Sequence, residues 1–201
     1  MKKLMLTSTV AMFGLTSAAL AAPVQWTAAS GGNDHWYEVI WNKGGEISWE
    51  QAKTAAEALT HGGVAGHLVT ITSAAEQAFA NSVNHAFAAS SWHHHGYYVS
   101  AWIGANDVQS EGNFEWTTGE SFASYSNFGF GQPDNWVWAG GEDYVQGWWS
   151  GDTWNDCGNW CGVHKYVVEY DVSAVPVPAS LPLAAAGLGL MGWVGRRRKR
   201  A

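Results

Sequence analysis

From residue 35 to residue 90 the apolar positions alternate between strand-like and helical periods. His35–Trp41 is aromatic and β-branched, the composition of a strand. Gly44-Gly45 ends it. Ser48-Trp49-Glu50-Gln51 then reads as a capping box, in which the serine side chain and the Gln51 side chain satisfy each other's free backbone N–H groups. Trp49, Ala52, Ala56 and Leu59 follow at helical spacing. His61–Gly66 is a glycine-rich stop, and His67–Ile71 a short β-branched strand. Ser73-Ala74-Ala75-Glu76 opens a second helix, whose apolar face is predicted at Ala75, Ala78, Phe79, Val83, Ala86 and Phe87.

Beyond Ala88 the pattern breaks into short strands at Trp102–Gly104, Phe114–Trp116, Tyr144–Trp149 and Tyr166–Tyr170. Between Thr118 and Gly141 no period holds. So long an irregular stretch in a compact domain is usually functional or disordered, and its aromatic content argues against disorder. The element order predicts an α+β fold, two early helices followed by an antiparallel sheet.

Charge sharpens the picture. All 17 acidic residues lie between Asp34 and Asp171, where the only basic residues are Lys43, Lys53 and Lys165. Three lysines against 17 carboxylates leave the interior at −14, a field that repels nucleic acid and suits cations. The 14 tryptophans fit either an aromatic core or sugar-facing surfaces. In an exported chain Cys157 and Cys161 form a disulfide by default; a zinc site made by the pair with a histidine is the alternative.

The ends read as addresses. Residues 1–21 have the form of a signal peptide: Lys2-Lys3, an apolar run from Leu4 to Leu15, and Ala19-Leu20-Ala21 before the cut. Ala22 then starts the mature chain, with residues 22–34 preceding a domain at 35–171. The tail, 172–201, joins Val175-Pro176-Val177-Pro178-Ala179-Ser180 to an apolar run Leu181–Gly195 and a basic end Arg196–Arg200. That run falls short of the ~18–20 residues a spanning helix prefers, and the basic end stays cytoplasmic. The three-part order resembles the PEP-CTERM sorting signals in their Val-Pro-x-Pro-Ala variant. The resemblance implies a transient stop in the inner membrane, cleavage by a sorting protease of the exosortase type, and release to the cell surface or an extracellular matrix. A plain C-terminal anchor is the other reading; both leave the domain outside the cytoplasm.

Oxygen-bearing side chains concentrate around the irregular stretch: Asp107, Glu111, Gln132, Asp134, Asn135, Glu142, Asp143, Asn155 and Asp156. Six to eight such oxygens hold calcium, whereas zinc prefers histidine and cysteine. Their setting is an ordered series: Trp102-Ile103-Gly104-Ala105-Asn106-Asp107, Glu111-Gly112-Asn113-Phe114-Glu115-Trp116, Gln132-Pro133-Asp134, Glu142-Asp143-Tyr144-Val145, Trp154-Asn155-Asp156 and Tyr166-Val167-Val168-Glu169. From about His35 to Tyr170, this series and Gly66-His67-Leu68-Val69 resemble the C-type-lectin-like domain family.

The resemblance implies a C-type-lectin-like fold with a long calcium-binding loop. It implies a sugar-site Ca2+ held by Gln132, Asp134, Glu142, Asn155 and Asp156, with Pro133 cis. It further implies a second Ca2+ at Asp107, Glu111, Asp143 and Asn135, weaker because the family often carries Asp in place of Asn135. Gln132-Pro133-Asp134 is similar to the galactose-type arrangement, with Trp136 against the apolar face of the sugar and Trp138 shaping the lip. The family's cysteines are replaced here at Tyr144 and Val168, so Cys157–Cys161 is expected to lock the loop after Asp156 instead. The expected partner is a glycan of galactose type, not nucleic acid. A surface adhesion or matrix protein using the fold for protein contacts is the rival. No catalytic frame is recognisable: no nucleophile elbow and no His-Glu-x-x-His, although plentiful carboxylates leave a glycosidase pair open. His93-His94-His95 reads as a solvated loop.

Overall fold

The structure, a computed structural model, describes residues 22–90, 100–137, 140–148 and 150–171. The expected signal peptide at 1–21, the tail from residue 172, His93-His94-His95 and Trp138 lie outside the described residues. In chain order the elements are β1 (Val24–Gln25), β2 (Trp36–Trp41), α1 (Trp49–Ala58), β3 (Thr60–His61), β4 (Val64–Ala65), β5 (His67–Leu68) and α2 (Ala74–Ser90). They continue with β6 (Ala101–Asn106), β7 (Glu115–Trp116), β8 (Tyr144–Gly147), β9 (Asn155–Cys157) and β10 (Lys165–Tyr170).

The last strand is the middle of the sheet. All six residues of β10 are buried. It pairs antiparallel with β2 along its whole length, from Lys165↔Trp41 to Tyr170↔Trp36. On its other side it meets β6, with Tyr166 beside Trp102, and that pairing is parallel. The sheet, in the order β1-β2-β10-β6-β8-β9, is therefore mixed rather than wholly antiparallel. A parallel pair needs a long crossover, and the site-bearing segments between β6 and β10 supply one.

Both faces of β10 are covered, and its residues alternate between them. Tyr166, Val168 and Tyr170 face a cluster built on Trp49, Ala52 and Ala56 of α1. Val167 joins Ala80 and Val83 of α2 in the other. Lys165 turns to the same side as Val167, where its Nζ donates to Asn84 Oδ1 of α2 at 2.7 Å. Glu169 does likewise, accepting from the Tyr37 hydroxyl at 3.0 Å, the Thr70 N–H at 3.0 Å and His35 Nδ1 at 2.7 Å.

The first helix begins as its sequence predicts: Ser48 caps it, and the reciprocal bond from the Ser48 N–H to Gln51 Oε1 is 3.2 Å. The second helix presents the predicted face only in part: Val83 is buried in the core and Phe79 and Phe87 pack against it. Ala75, Ala78 and Ala86 are exposed, while Glu76, Gln77, Ala80, Val83 and Asn84 are buried. The reason is donor matching. Glu76 accepts from the Tyr37 hydroxyl at 2.7 Å, and Gln77 Oε1 accepts from Trp154 Nε1 at 2.7 Å. Buried indole and phenol donors require acceptors, and the helix turns its polar side chains inward to supply them.

Two further segments take on structure. Residues 22–34 add β1 to the edge of β2, and Trp26 stacks on Phe79 at 5.6 Å. The glycine-rich stop is a hairpin of β3 and β4, whose turn uses Gly62 and Gly63 at φ 59° and 84°, the positive-φ pair of a tight type I′ connection.

Candidate calcium and ligand site

The irregular stretch is pinned by aromatic contacts onto Trp154. That ring is fully buried and meets Trp116 at 5.7 Å, Tyr125 at 5.7 Å, Phe128 at 5.9 Å and Phe122 at 6.2 Å. The backbone follows: the Gly129 N–H donates to Trp154 O at 2.9 Å and the Gln132 N–H to Gly129 O at 3.0 Å. Gln132-Pro133-Asp134 is thereby brought beside Asn155 and Asp156, which follow Trp154 directly on β9. The Gln132–Pro133 peptide bond is cis.

Two carboxylates hold the loop by its backbone. Asp156 Oδ1 accepts from the Asp134 N–H at 3.1 Å, and its Oδ2 from the Asn135 N–H at 2.8 Å. Glu142 Oε2 accepts from the Trp136 N–H at 3.0 Å, while the Glu142 N–H donates to Asn135 Oδ1 at 3.1 Å. Asp134, Glu142 and Asp156 each offer an oxygen, all within 4.8 Å of one another. The inward end of the Gln132 amide lies 2.6 Å from Asp156 Oδ1, 2.7 Å from Asn155 Oδ1 and 3.2 Å from Asp134 Oδ1.

This convergence has a definite electrostatic meaning. With its nitrogen inward, the Gln132 amide donates to its neighbours. With its oxygen inward, four acceptors face one another, an arrangement that a cation among them makes favourable. Burial pushes the Glu142 carboxyl up to about 7, and Asp134 and Asp156 push it the same way. Burial also raises Asp156, with Asp134 adding to it. The donors are oxygen alone, from three carboxylates and two amides, which fits calcium and not zinc.

The second group expected from sequence is looser. Asp107 is buried; its Oδ2 accepts from the Gly112 N–H at 2.7 Å, and its Oδ1 has no partner. Burial raises its carboxyl, and nearby Glu111 and Asp143 raise it further. Among the described residues these three do not form a cluster within 4.8 Å. Asn135 belongs to the first loop, where its Oδ1 is engaged by Glu142.

Cys157 and Cys161 are joined by a disulfide, which withdraws both sulfurs from any zinc site. The short loop they close is tied to α1: the Trp49 N–H donates to Asn159 Oδ1 at 2.9 Å, and Asn159 Nδ2 donates to Glu50 Oε2 at 2.9 Å. Tyr144 stacks on Trp49 at 5.0 Å and its hydroxyl donates to Glu50. Aromatic packing thus occupies a place where the resemblance expects a cystine.

Trp136 stands 55% exposed beside the oxygen ring and meets the edge of Trp160 at 6.1 Å. The ring opens on a cavity of about 980 Å³ that runs on past Gln146 and Trp148 to the disulfide loop. Sequence reasoning missed Gln146, Trp148 and Trp160. The signal for Trp160 was its place between the two cysteines, next to Asp156; Gln146 and Trp148 carried none.

Residues 45–168 match the family described as Lectin C-type domain, and residues 174–199 match the PEP-CTERM protein-sorting motif. The C-type lectin CEL-I from Cucumaria echinata superposes with a TM-score of 0.56 at 30% identity, covering 71% of this chain and 94% of that one. The carbohydrate-recognition domain of cow CD23, solved in the presence of GlcNAc2Man3 oligosaccharide, gives 0.52 at 29% identity, covering 70% of this chain and 90% of that one. Versican core protein of Rattus norvegicus is 36% identical over 90 residues, which is 45% of this chain and only 3% of that protein. With its match over residues 45–168, the chain belongs to the C-type lectin domain family.

Proposed function

We propose that the domain binds glycans of galactose type through a calcium ion held by Gln132, Asp134, Glu142, Asn155 and Asp156. The observation that carries this reading is the inward turn of the Gln132 amide onto Asp134, Asn155 and Asp156 oxygens. Bound there, calcium supplies coordination places for a vicinal pair of sugar hydroxyls. The surrounding side chains do the selecting. Each hydroxyl donates to a carboxylate such as Asp134 or Glu142 and accepts from an amide N–H of Gln132 or Asn155. The order of amide and carboxylate across Pro133 decides which hydroxyl pair fits, and Gln132 before Asp134 favours galactose. Trp136, exposed beside the ring, offers its flat face to the apolar side of the sugar.

Asp107, Glu111 and Asp143 are proposed as a second, weaker calcium site. Residues 1–21 are proposed to direct export, and the tail to stop briefly in the inner membrane before an exosortase-type protease cuts it. The domain then acts at the cell surface or in the matrix, as a binding module rather than an enzyme. The rival reading, a matrix protein using the fold for protein contacts, draws on Phe130 and Val137, which are exposed close to the ring. Retention on a galactose resin separates the two. Retention is expected with calcium, and its loss in chelator and in Asp134→Ala; unchanged retention in chelator overturns the proposal.

A further inference from the structure

We propose that His35, His67, Glu169 and Asp171 form a zinc site at the C-terminal end of β10, separate from the oxygen ring and independent of the sugar reading.

Strand register brings these side chains together. Tyr37 lies opposite Glu169 in the β2–β10 pairing, and His67 lies opposite Glu169 on the other flank, where β5 pairs with β10. Cross-strand partners share a face, and so do residues two apart on one strand. His35 comes two residues before Tyr37, and Asp171 two after Glu169. Each continues its strand by one residue on the face that carries Glu169 and His67. One histidine thus comes from each side of β10, with two carboxylates between them. β6 separates the group from β8 and β9, beside which the oxygen ring is built.

The ligand atoms converge. His35 Nδ1 lies 2.7 Å from Glu169 Oε1 and 3.4 Å from Asp171 Oδ1, and His67 Nε2 lies 3.2 Å from the same Asp171 oxygen. Zinc bonds to nitrogen and oxygen at ~2.0–2.2 Å, which sets neighbouring tetrahedral ligands roughly 3.3–3.5 Å apart. Both contacts to Asp171 are close to that spacing. The His35–Glu169 contact is a hydrogen bond, and it lengthens as the metal replaces its proton.

A second observation points to a cation. His67 Nδ1 sits 2.9 Å from Leu68 O. A carbonyl only accepts, so Nδ1 carries the ring proton. In the neutral ring Nε2 is then a lone pair aimed at a carboxylate oxygen. Two acceptors at 3.2 Å repel unless a proton or a metal ion stands between them. A backbone carbonyl on one ring nitrogen and a metal on the other is the usual setting of a ligating histidine. The charge balance asks for the same. The Tyr37 hydroxyl links Glu76 to Glu169 at 2.7 and 3.0 Å, so three carboxylates gather around two histidines. Among the described residues no lysine or arginine pairs with them. Two nitrogens and two carboxylate oxygens suit zinc, as the all-oxygen ring suits calcium. Asp171 is exposed, which gives the ion a way in from solvent. Bound there, zinc ties the end of β10 to the strands on both sides.

The test is calorimetric titration of the untagged protein with zinc chloride at neutral pH, in excess calcium to keep the oxygen ring filled. One tightly held zinc per chain is expected, and Co2+ in its place is expected to show the visible absorption of a four-coordinate ion. His67→Gln and Asp171→Asn are each expected to weaken zinc at least tenfold. Changing His93, His94 and His95 together to alanine is expected to leave that zinc in place. Asp171→Asn alters an exposed side chain and carries the test if His67→Gln disturbs the fold. Absence of tight zinc binding in the wild type overturns the site. So does undiminished affinity in Asp171→Asn, or loss of the tight zinc in the histidine-triplet variant.

Discussion

At the scale of single residues, the ring divides into side chains that hold the loop and side chains free to meet a ligand. Asp156 and Glu142 accept backbone N–H groups from residues 134–136, so truncating either loosens the loop itself. Asp134 is exposed and holds no backbone group in place, which makes it the clean position for substitution. Exchanging amide and carboxylate, as Gln132→Glu with Asp134→Asn, is expected to move preference from galactose toward mannose on a glycan array; undiminished galactose preference contradicts the account of selectivity. That Gln132, Asp134, Glu142, Asn155 and Asp156 come together was legible through the order of their motifs rather than their composition, since acidic clusters are often only solvated surface. Gln146 and Trp148 were not legible, because nothing local distinguishes a strand glutamine that faces a cavity from one that faces water.

At the scale of elements, the strands and the first helix followed their local pattern, and the second helix did so only at Phe79, Val83 and Phe87. Its buried face carries Glu76, Gln77 and Asn84, which no apolar count identifies. Their partners, Tyr37, Trp154 and Lys165, lie far along the chain, so the pairing is a tertiary fact. Trp154→Phe keeps the aromatic cluster but leaves Gln77 Oε1 without its donor, and is expected to cost about 1–3 kcal/mol in urea unfolding. No measurable loss contradicts the donor-matching account of α2. Lys165 carries a second consequence. Among the described residues it forms no ion pair, and burial lowers its ammonium from 10.5 to about 7. Between those values the unfolded chain holds a proton that the folded chain lacks, so stability rises with pH there. With calcium present, the melting temperature of the wild type is expected to climb from pH 7 to pH 9 more steeply than that of Lys165→Met. Parallel curves contradict a neutral buried lysine.

At the scale of the molecule, the α+β class was legible and the closure of the sheet was not. The parallel contact between β10 and β6 and the entry of residues 22–34 as an edge strand depend on long-range pairing, which local periodicity does not encode. The whole arrangement places a pinned irregular loop over β8 and β9, so that folding of the sheet assembles the ring. A cation bound there stabilises the folded state alone. Saturation to about a hundred times the dissociation constant adds ~2.7 kcal/mol, roughly 5–10 °C in a domain of this size. The most direct measurement is therefore thermal melting of the protein and of Asp134→Ala, each with calcium and with chelator. The account predicts that calcium raises the wild-type midpoint by that margin and raises the variant's much less; a wild-type midpoint indifferent to calcium contradicts it.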